Sequence, residues 1–344
     1  MKNHLISITM LTALIMLISL PLSVNAQDDK SEVMGGYTIE GVPNEHQIDK
    51  NVSYFYLNEQ PGEKDRIKVK LINDSNSEKI LNVKVTNANT NLNGLVDYTG
   101  TLKDHESLKY PLTSIVIPQE NEVTLAPKSE VETTLDLKMP SEKQEGIILG
   151  GVVVSEKQNE TEKNKSVAVK NTYSYTLGVL LTNNNEVKIN QNKSVELENV
   201  GPILSDGKKV VQANLLNSHP YIFGEASVSG KILNEEETQT IQESKKESVK
   251  IAPYSIFPFQ FDWKKEELKP GNYVFEGKVK TEDNEWSFKK KFKITETEAK
   301  IINKKSVFKI QIPEWLTYTA LITSIVTIGG TVWLVVRKRR KKHE

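Results

Sequence analysis

Residues 65–72, Asp65-Arg66-Ile67-Lys68-Val69-Lys70-Leu71-Ile72, put Ile67, Val69 and Leu71 at alternate positions with Arg66, Lys68 and Lys70 between them. Side chains alternate across a strand with period two, so this run reads as a β-strand with one face buried and one wet. The pattern recurs in Ile80 to Thr86 at Leu81, Val83 and Val85, and again at Val131, Thr133, Leu135 and Leu137. Ser166 to Thr182, marked by Val167, Val169, Tyr173, Tyr175 and Leu177, reads as a strand pair or one bent strand. Gly146 to Val154, GIILGGVVV, is almost continuously apolar. That implies burial on both faces, with Gly150-Gly151 marking a bulge or a close approach of backbones.

Turn formers separate the runs. Glu59-Gln60-Pro61-Gly62-Glu63, Asn73-Asp74-Ser75-Asn76-Ser77, Ala126-Pro127-Lys128-Ser129 and Asn183-Asn184-Asn185 all favour tight reversals. After Asn185 the alternation restarts, through Val195 and Leu197, Val210 to Leu216, Ala226 to Leu233, Ile256 to Phe261, Tyr273 to Val279 and Trp286 to Ile294. That is about six or seven strands, the complement of one immunoglobulin-like domain. The predicted fold class is therefore all-β: two immunoglobulin-like antiparallel β-sandwich domains, at 27–185 and 186–295, plus one C-terminal transmembrane α-helix. Residues 296–314 lose the alternation and read as a stalk, helical in part.

The ends of the chain carry the remaining signals. Met1-Lys2-Asn3-His4, the apolar Leu5 to Leu20 and the small residues of Val24-Asn25-Ala26 read as a signal peptide over 1–26, with the rest exported. Residues 316–336, LTYTALITSIVTIGGTVWLVV, contain no charge. About 20 helical residues cross an apolar bilayer core, so 315–336 is predicted to span a membrane once. The basic run Arg337 to Lys342 in the tail 337–344 then fixes that tail as cytoplasmic. The expected location is a single-pass cell membrane protein with its N-terminal ectodomain facing the wall.

Composition excludes several classes of function. The chain has 45 basic and 45 acidic residues. With the basic tail set aside the exported part is mildly acidic, which is not the stripe that nucleic acid requires. Arg66 is the only arginine before residue 337, so dense bidentate clamps on phosphate or carboxylate are absent. There is no cysteine, hence no disulfide framework, thiolate nucleophile or thiolate-bound metal. Among five histidines, only His46, His105 and His219 fall in the exported domains, with no HExxH and no paired spacing, so no metal centre and no cofactor is predicted. Asp104-His105-Glu106-Ser107 collects triad residue types, but triads are built by tertiary geometry and no Gly-x-Ser-x-Gly elbow occurs. Asp74 to Glu78 begins like a calcium loop and lacks its glycine and terminal glutamate, so it reads as a polar turn. Acidic pairs for glycoside hydrolysis exist in number, and nothing singles one out.

The order of parts resembles a known family. The first domain carries Tyr54-Phe55-Tyr56-Leu57 followed by Pro61-Gly62, Asn87-Ala88-Asn89-Thr90-Asn91 leading to Gly94 and Asp97-Tyr98, then Ser107 to Pro111, Met139-Pro140 and Gly146 to Gly151. The second carries Asn214-Leu215-Leu216-Asn217, Pro220, Ala252-Pro253-Tyr254-Ser255, Leu268-Lys269-Pro270-Gly271 and Glu285-Trp286. Together these are similar to the WxL-interacting proteins of Gram-positive bacteria, a peptidoglycan-binding domain followed by a host-binding domain. The resemblance implies a non-enzymatic, membrane-anchored cell-surface protein that binds peptidoglycan and retains secreted WxL proteins. An adhesin for a host extracellular-matrix protein is the alternative, and an enzyme acting on wall glycan is the third reading. The expected partners are peptidoglycan, WxL-domain surface proteins and the membrane, with no nucleic acid.

Glycan strands are held by planar amides, carboxylates and aromatic faces. Candidates are Asn89, Asn91, Asn93, Asp97, Tyr98 and Tyr110, against the reading that these asparagines bond their own backbone in turns. Tyr254, Phe257 and Trp263 are candidates for a partner-facing aromatic patch, against the reading that the alternation from Tyr254 to Trp263 is strand-core packing.

Overall fold

The computed structural model describes residues 34–157, 173–308 and a helix over 314–340, whose side chains are described at 319 and 321–333. The segment 1–26 read as a signal peptide lies outside the described residues, as do positions 166–172 of the strand pair expected over Ser166 to Thr182.

Among the described residues the first sandwich has eleven strands in chain order: β1 (Tyr37–Gly41), β2 (Phe55–Asn58), β3 (Lys64–Asn73), β4 (Lys79–Asn87), β5 (Asn89–Thr90), β6 (Val96–Asp97), β7 (Val116–Pro118), β8 (Glu122–Leu125), β9 (Glu130–Lys138), β10 (Ile148–Glu156) and β11 (Ser174–Thr182). One sheet runs β1-β3-β9-β7 and faces a second, β2-β11-β10-β4-β8, while β5 and β6 form a small hairpin. The period-two residues do what their spacing requires. Ile67, Val69 and Leu71 of β3 and Leu81 and Val83 of β4 are buried between the sheets with Leu135, Val152 and Val179. In the register, Ile67 stands opposite Leu135 and Val69 opposite Thr133, so the apolar faces coincide. One pair departs from the antiparallel expectation. Strand β2 runs parallel to β11, with Phe55 opposite Val179 and Leu57 opposite Leu181. Parallel neighbours need a long crossover, and here the whole sandwich between residues 58 and 174 supplies it.

The second sandwich contains β12 (Glu196–Ser205), β13 (Lys208–Asn217), β14 (Phe223–Asn234), β15 (Thr240–Ile251), β16 (Ser255–Asp262), β17 (Gly271–Lys280) and β18 (Glu285–Ile294). The sheets are β12-β13-β16 and β15-β14-β17-β18. Phe257, Phe259 and Phe261 point from β16 into the core against Phe275 and Val228. The segment read as a stalk opens with an ordered helix, α1 (Glu296–Lys305). Thr295 and Glu298 close a capping box at its start, and Ala299 and Ile302 join the second core.

The membrane expectations are corrected here. Helix α2 (Glu314–Arg340) does form, but among the described residues no helix is long and apolar enough to cross a membrane. Uncharged is not the same as apolar. Thr323, Thr327 and Thr331 recur every fourth residue and each donates its hydroxyl to the carbonyl of the residue four earlier. The structure therefore does not support the transmembrane helix, the membrane as partner, the membrane-anchored function or the single-pass location with a cytoplasmic tail.

Candidate functional site

The two sandwiches meet along a built seam. Tyr56, Ile147 and Leu180 of the first are buried in a small cluster with Val187, Ile189 and Ile222 packed against it. Backbone bonds cross the seam from Ile147 N to Pro220 O at 2.8 Å and from Lys250 N to Gly94 O at 2.7 Å. Gly146 has φ +73° and a Cβ there would stand 2.2 Å from Pro220 O, so a side chain at that position would push the domains apart. The β5–β6 hairpin is the first domain's contribution. Thr90 Oγ1 accepts the Ala252 N–H at 2.9 Å and shares a 2.9 Å bond with Ser255 Oγ, with all three residues buried.

Thr90→Val keeps the shape and removes both bonds, leaving a buried N–H and a buried hydroxyl unpaired. A loss of about 2–3 kcal/mol is expected, read as earlier urea unfolding of the full chain. An unchanged midpoint would mean the seam does not couple the domains.

Beside this contact lies a cleft of about 590 Å³, lined by Asn89, Leu102, Asp104 and His105 from the first domain and Glu198, Gln212, Asn214 and Pro258 from the second. Asp104 is held by two amides, Asn87 Nδ2 to Oδ2 at 2.6 Å and Asn89 Nδ2 to Oδ1 at 2.8 Å. His105 Nδ1 accepts the Ser107 N–H at 3.2 Å, which places its proton on Nε2, and Nε2 donates to Glu198 Oε1 at 2.9 Å across the seam. Ser107 Oγ lies 2.7 Å from the same Nδ1. Because the backbone amide shares that nitrogen, the Ser107 contact closes a local turn, while the contact from Nε2 to Glu198 ties the domains together. On the second domain Gln260 Nε2 donates to Gln212 Oε1 and Gln212 Nε2 to Asn214 Oδ1, so the amides that face the cleft are oriented in a chain.

Of the candidate glycan residues, only Asn89 lines this cleft. Asn91 Oδ1 accepts from the backbone of Asn93 and Leu95, and Asp97 Oδ1 takes the amide and hydroxyl of Thr99. These close turns, and Asn93 stands exposed on one of them. Tyr98 is partly buried and its carbonyl accepts the Thr86 hydroxyl at 2.6 Å. Tyr110 donates to Glu142 Oε2 at 2.7 Å, with Lys109 Nζ 5.1 Å from its ring centre. The Tyr110 hydroxyl, then Lys109, holds the Glu142 carboxyl below its ordinary range.

The aromatic candidates separate by burial. Phe257 and Trp263 lie in the second core and present no face to a partner, whereas Tyr254 is partly exposed, with φ +53°. Burial pushes its phenol up; across the seam Glu145 adds to that rise and Lys109 opposes it. The sequence pointed to neither Glu198 nor Gln212, because their meeting with His105 and Asn89 depends on how two domains pack. Among the described residues one group of metal-ligating side chains also assembles: His46, Glu59 and Glu63.

Comparison with known proteins bears on this geometry. Residues 37–156 match the family model for the WxL Interacting Protein, peptidoglycan binding domain. Residues 164–304 match that for the WxL Interacting Protein, host binding domain. The second match begins ahead of β11, although β11 pairs with β10 and β2 in the first sandwich. The hydrogen-bonded sheet is the firmer guide to where the first sandwich ends. No curated protein matches. Among solved structures, the Pseudomonas aeruginosa CupB2 chaperone is 12% identical over 65% of this chain and 91% of its own, with a TM-score of 0.26. The E. coli chaperone DraB is 12% identical over 69% and 91%, at 0.25. A PapD-like domain of human CEP192 is 10% identical over 43% and 84%, at 0.26. Scores this low carry no argument about function.

Proposed function

We propose that this chain, which belongs to the WxL-interacting protein family, is a wall-associated surface scaffold that binds peptidoglycan and holds a WxL-domain protein beside it. It is not an enzyme, since both matched domains are non-catalytic binding modules. The observation that carries the reading is the tandem of matches on two sandwiches that share a seam. The peptidoglycan strand is seated in the cleft between them. Its amides and carboxylates, from Asn89, Asp104, Gln212 and Asn214, suit the hydroxyl and acetamido groups of wall glycan.

Sedimentation of the full chain with insoluble peptidoglycan tests this. Wild-type protein is expected in the pellet, and Gln212→Ala should weaken retention about tenfold, the worth of one good hydrogen bond. Asn93→Ala, on an exposed turn, should not. Equal retention of all three would remove the glycan from the cleft, and no retention would remove the wall-binding role. The host-binding description of the second match supports a second reading, an adhesin for a host extracellular-matrix protein. Binding to matrix protein together with failure on the wall would favour it.

A further inference from the structure

Glu59 sits at the end of β2 with its side chain fully buried. One carboxylate oxygen, Oε2, lies 2.9 Å from His46 Nδ1, while the other, Oε1, is buried and makes no hydrogen bond among the described residues. A buried carboxylate oxygen with no donor is costly and calls for a cation or a proton. More carboxylates crowd the same histidine. Glu63 Oε1 is 3.9 Å from its Nε2, and Asp65 Oδ2 is 3.8 Å from its Nδ1. The candidate ligand atoms of His46, Glu59 and Glu63 all lie within 4.8 Å of one another.

The cluster is held in place from both sides. Asn44 Nδ2 donates to Asp65 Oδ2 at 2.7 Å, and Asn44 Oδ1 accepts the His46 N–H at 2.7 Å. Asn58 N donates to His46 O at 3.0 Å, and Glu59 N to Thr182 O at 2.9 Å. The His46 loop is thus tied to β2, and β2 to β11, before any ion arrives. His46 remains 35% exposed, so an ion can reach the site from solvent. Burial pushes the Glu59 carboxyl up, to about 7, although His46 pulls it down.

We propose that His46, Glu59 and Glu63 form a binding site for a divalent metal ion of the zinc class, with Asp65 alongside as a further carboxylate. One imidazole nitrogen and carboxylate oxygens suit zinc, whose bonds to them are ~2.0–2.2 Å long. Calcium prefers six to eight oxygens, roughly, and gains little from the imidazole. The site would fasten the 44–48 loop to the turn between β2 and β3, next to the strand from which the chain leaves for the second domain. The sequence hides it because the ligands fit no motif spacing and Glu59 reads as a turn residue.

The test is titration of the chelator-stripped full chain with Zn²⁺, by calorimetry and thermal unfolding. One equivalent should bind, and at about a hundredfold excess over the Kd the Tm should rise by about 5 °C. His46→Gln and Glu63→Gln should each weaken Zn²⁺ at least about tenfold, and His219→Gln, whose ring bonds Ser194 elsewhere, should not. Glu63 is partly exposed, so its variant stays folded and informative if His46→Gln does not. Absence of Zn²⁺ binding to the wild type, or undiminished binding in both ligand variants, would overturn the proposal. A larger shift with Ca²⁺ than with Zn²⁺ would overturn its assignment to the zinc class.

Discussion

Gly150→Val is expected to unfold the first sandwich. A Cβ at Gly150 would stand 2.2 Å from the Thr86 carbonyl oxygen and 2.6 Å from Leu112 Cδ2. Thr86 belongs to β4, and Gly151 stands opposite it in the β4–β10 ladder, so that carbonyl cannot withdraw without opening the pairing at the centre of the sheet. Overpacking a core costs about 1–3 kcal/mol and more where backbone must move, so a loss of about 3 kcal/mol or more is expected. The measurement is urea unfolding of the full chain, with Gly201→Ala as control, since nothing lies within 4 Å of a Cβ there. Wall retention should fall with the first sandwich. A Gly150→Val protein of wild-type stability would mean that the strands are not as close as described.

Phe259→Ala is expected to do the same to the second sandwich. The ring is 1% exposed, 5.0 Å from the Phe261 ring edge to face and 6.0 Å from Phe257. Gly230 opposite leaves room for it, since a Cβ there would come within 3.1 Å of Phe259 Cε1. Truncation to alanine leaves a cavity that these neighbours cannot close and costs about 3–5 kcal/mol. Phe259→Leu should recover much of the loss. The two variants strike different cores, so together they report which sandwich each partner needs. If both partners are lost with either, the seam makes the two domains one binding unit.

Much of the fold was legible wherever one face of a strand is wet. Residues 65–72 announce β3, and Leu81, Val83 and Val85 announce β4, because burial on one side forces alternation. Strand β15 was missed for the opposite reason. It is an edge strand whose residues Glu243 to Ser248 are exposed or only half-buried, so TIQESKKESVKI carries almost no apolar signal until Val249. The parallel β2–β11 pair could not be read, because partner choice depends on topology. Helix α1 falls within the segment that reads as a partly helical stalk, and Thr295 and Glu298 spell the capping box that fixes where it starts. The C-terminal span was overread from absence of charge, a measure that passes over the threonines at 319, 323, 327 and 331.

The candidate site was legible in chemistry and not in place. Asparagines between 87 and 93 suggested glycan recognition, yet the structure spends Asn91 on a turn and brings Asn89 beside Asp104. His105 was noticed for its neighbours in sequence. Its cross-domain partner, Glu198, lies 93 positions away, and no local pattern connects them. The alternation from Tyr254 to Trp263 supported two readings. Burial of Phe257 and Trp263 assigns those two to the core and leaves Tyr254 at the seam.

The most direct test of the scaffold is calorimetric titration of the full chain with a purified WxL-domain protein in buffer free of wall material. The account predicts a saturable complex of fixed stoichiometry; no heat and no complex at about 100 μM, weaker than the affinities that hold surface assemblies together, would contradict it.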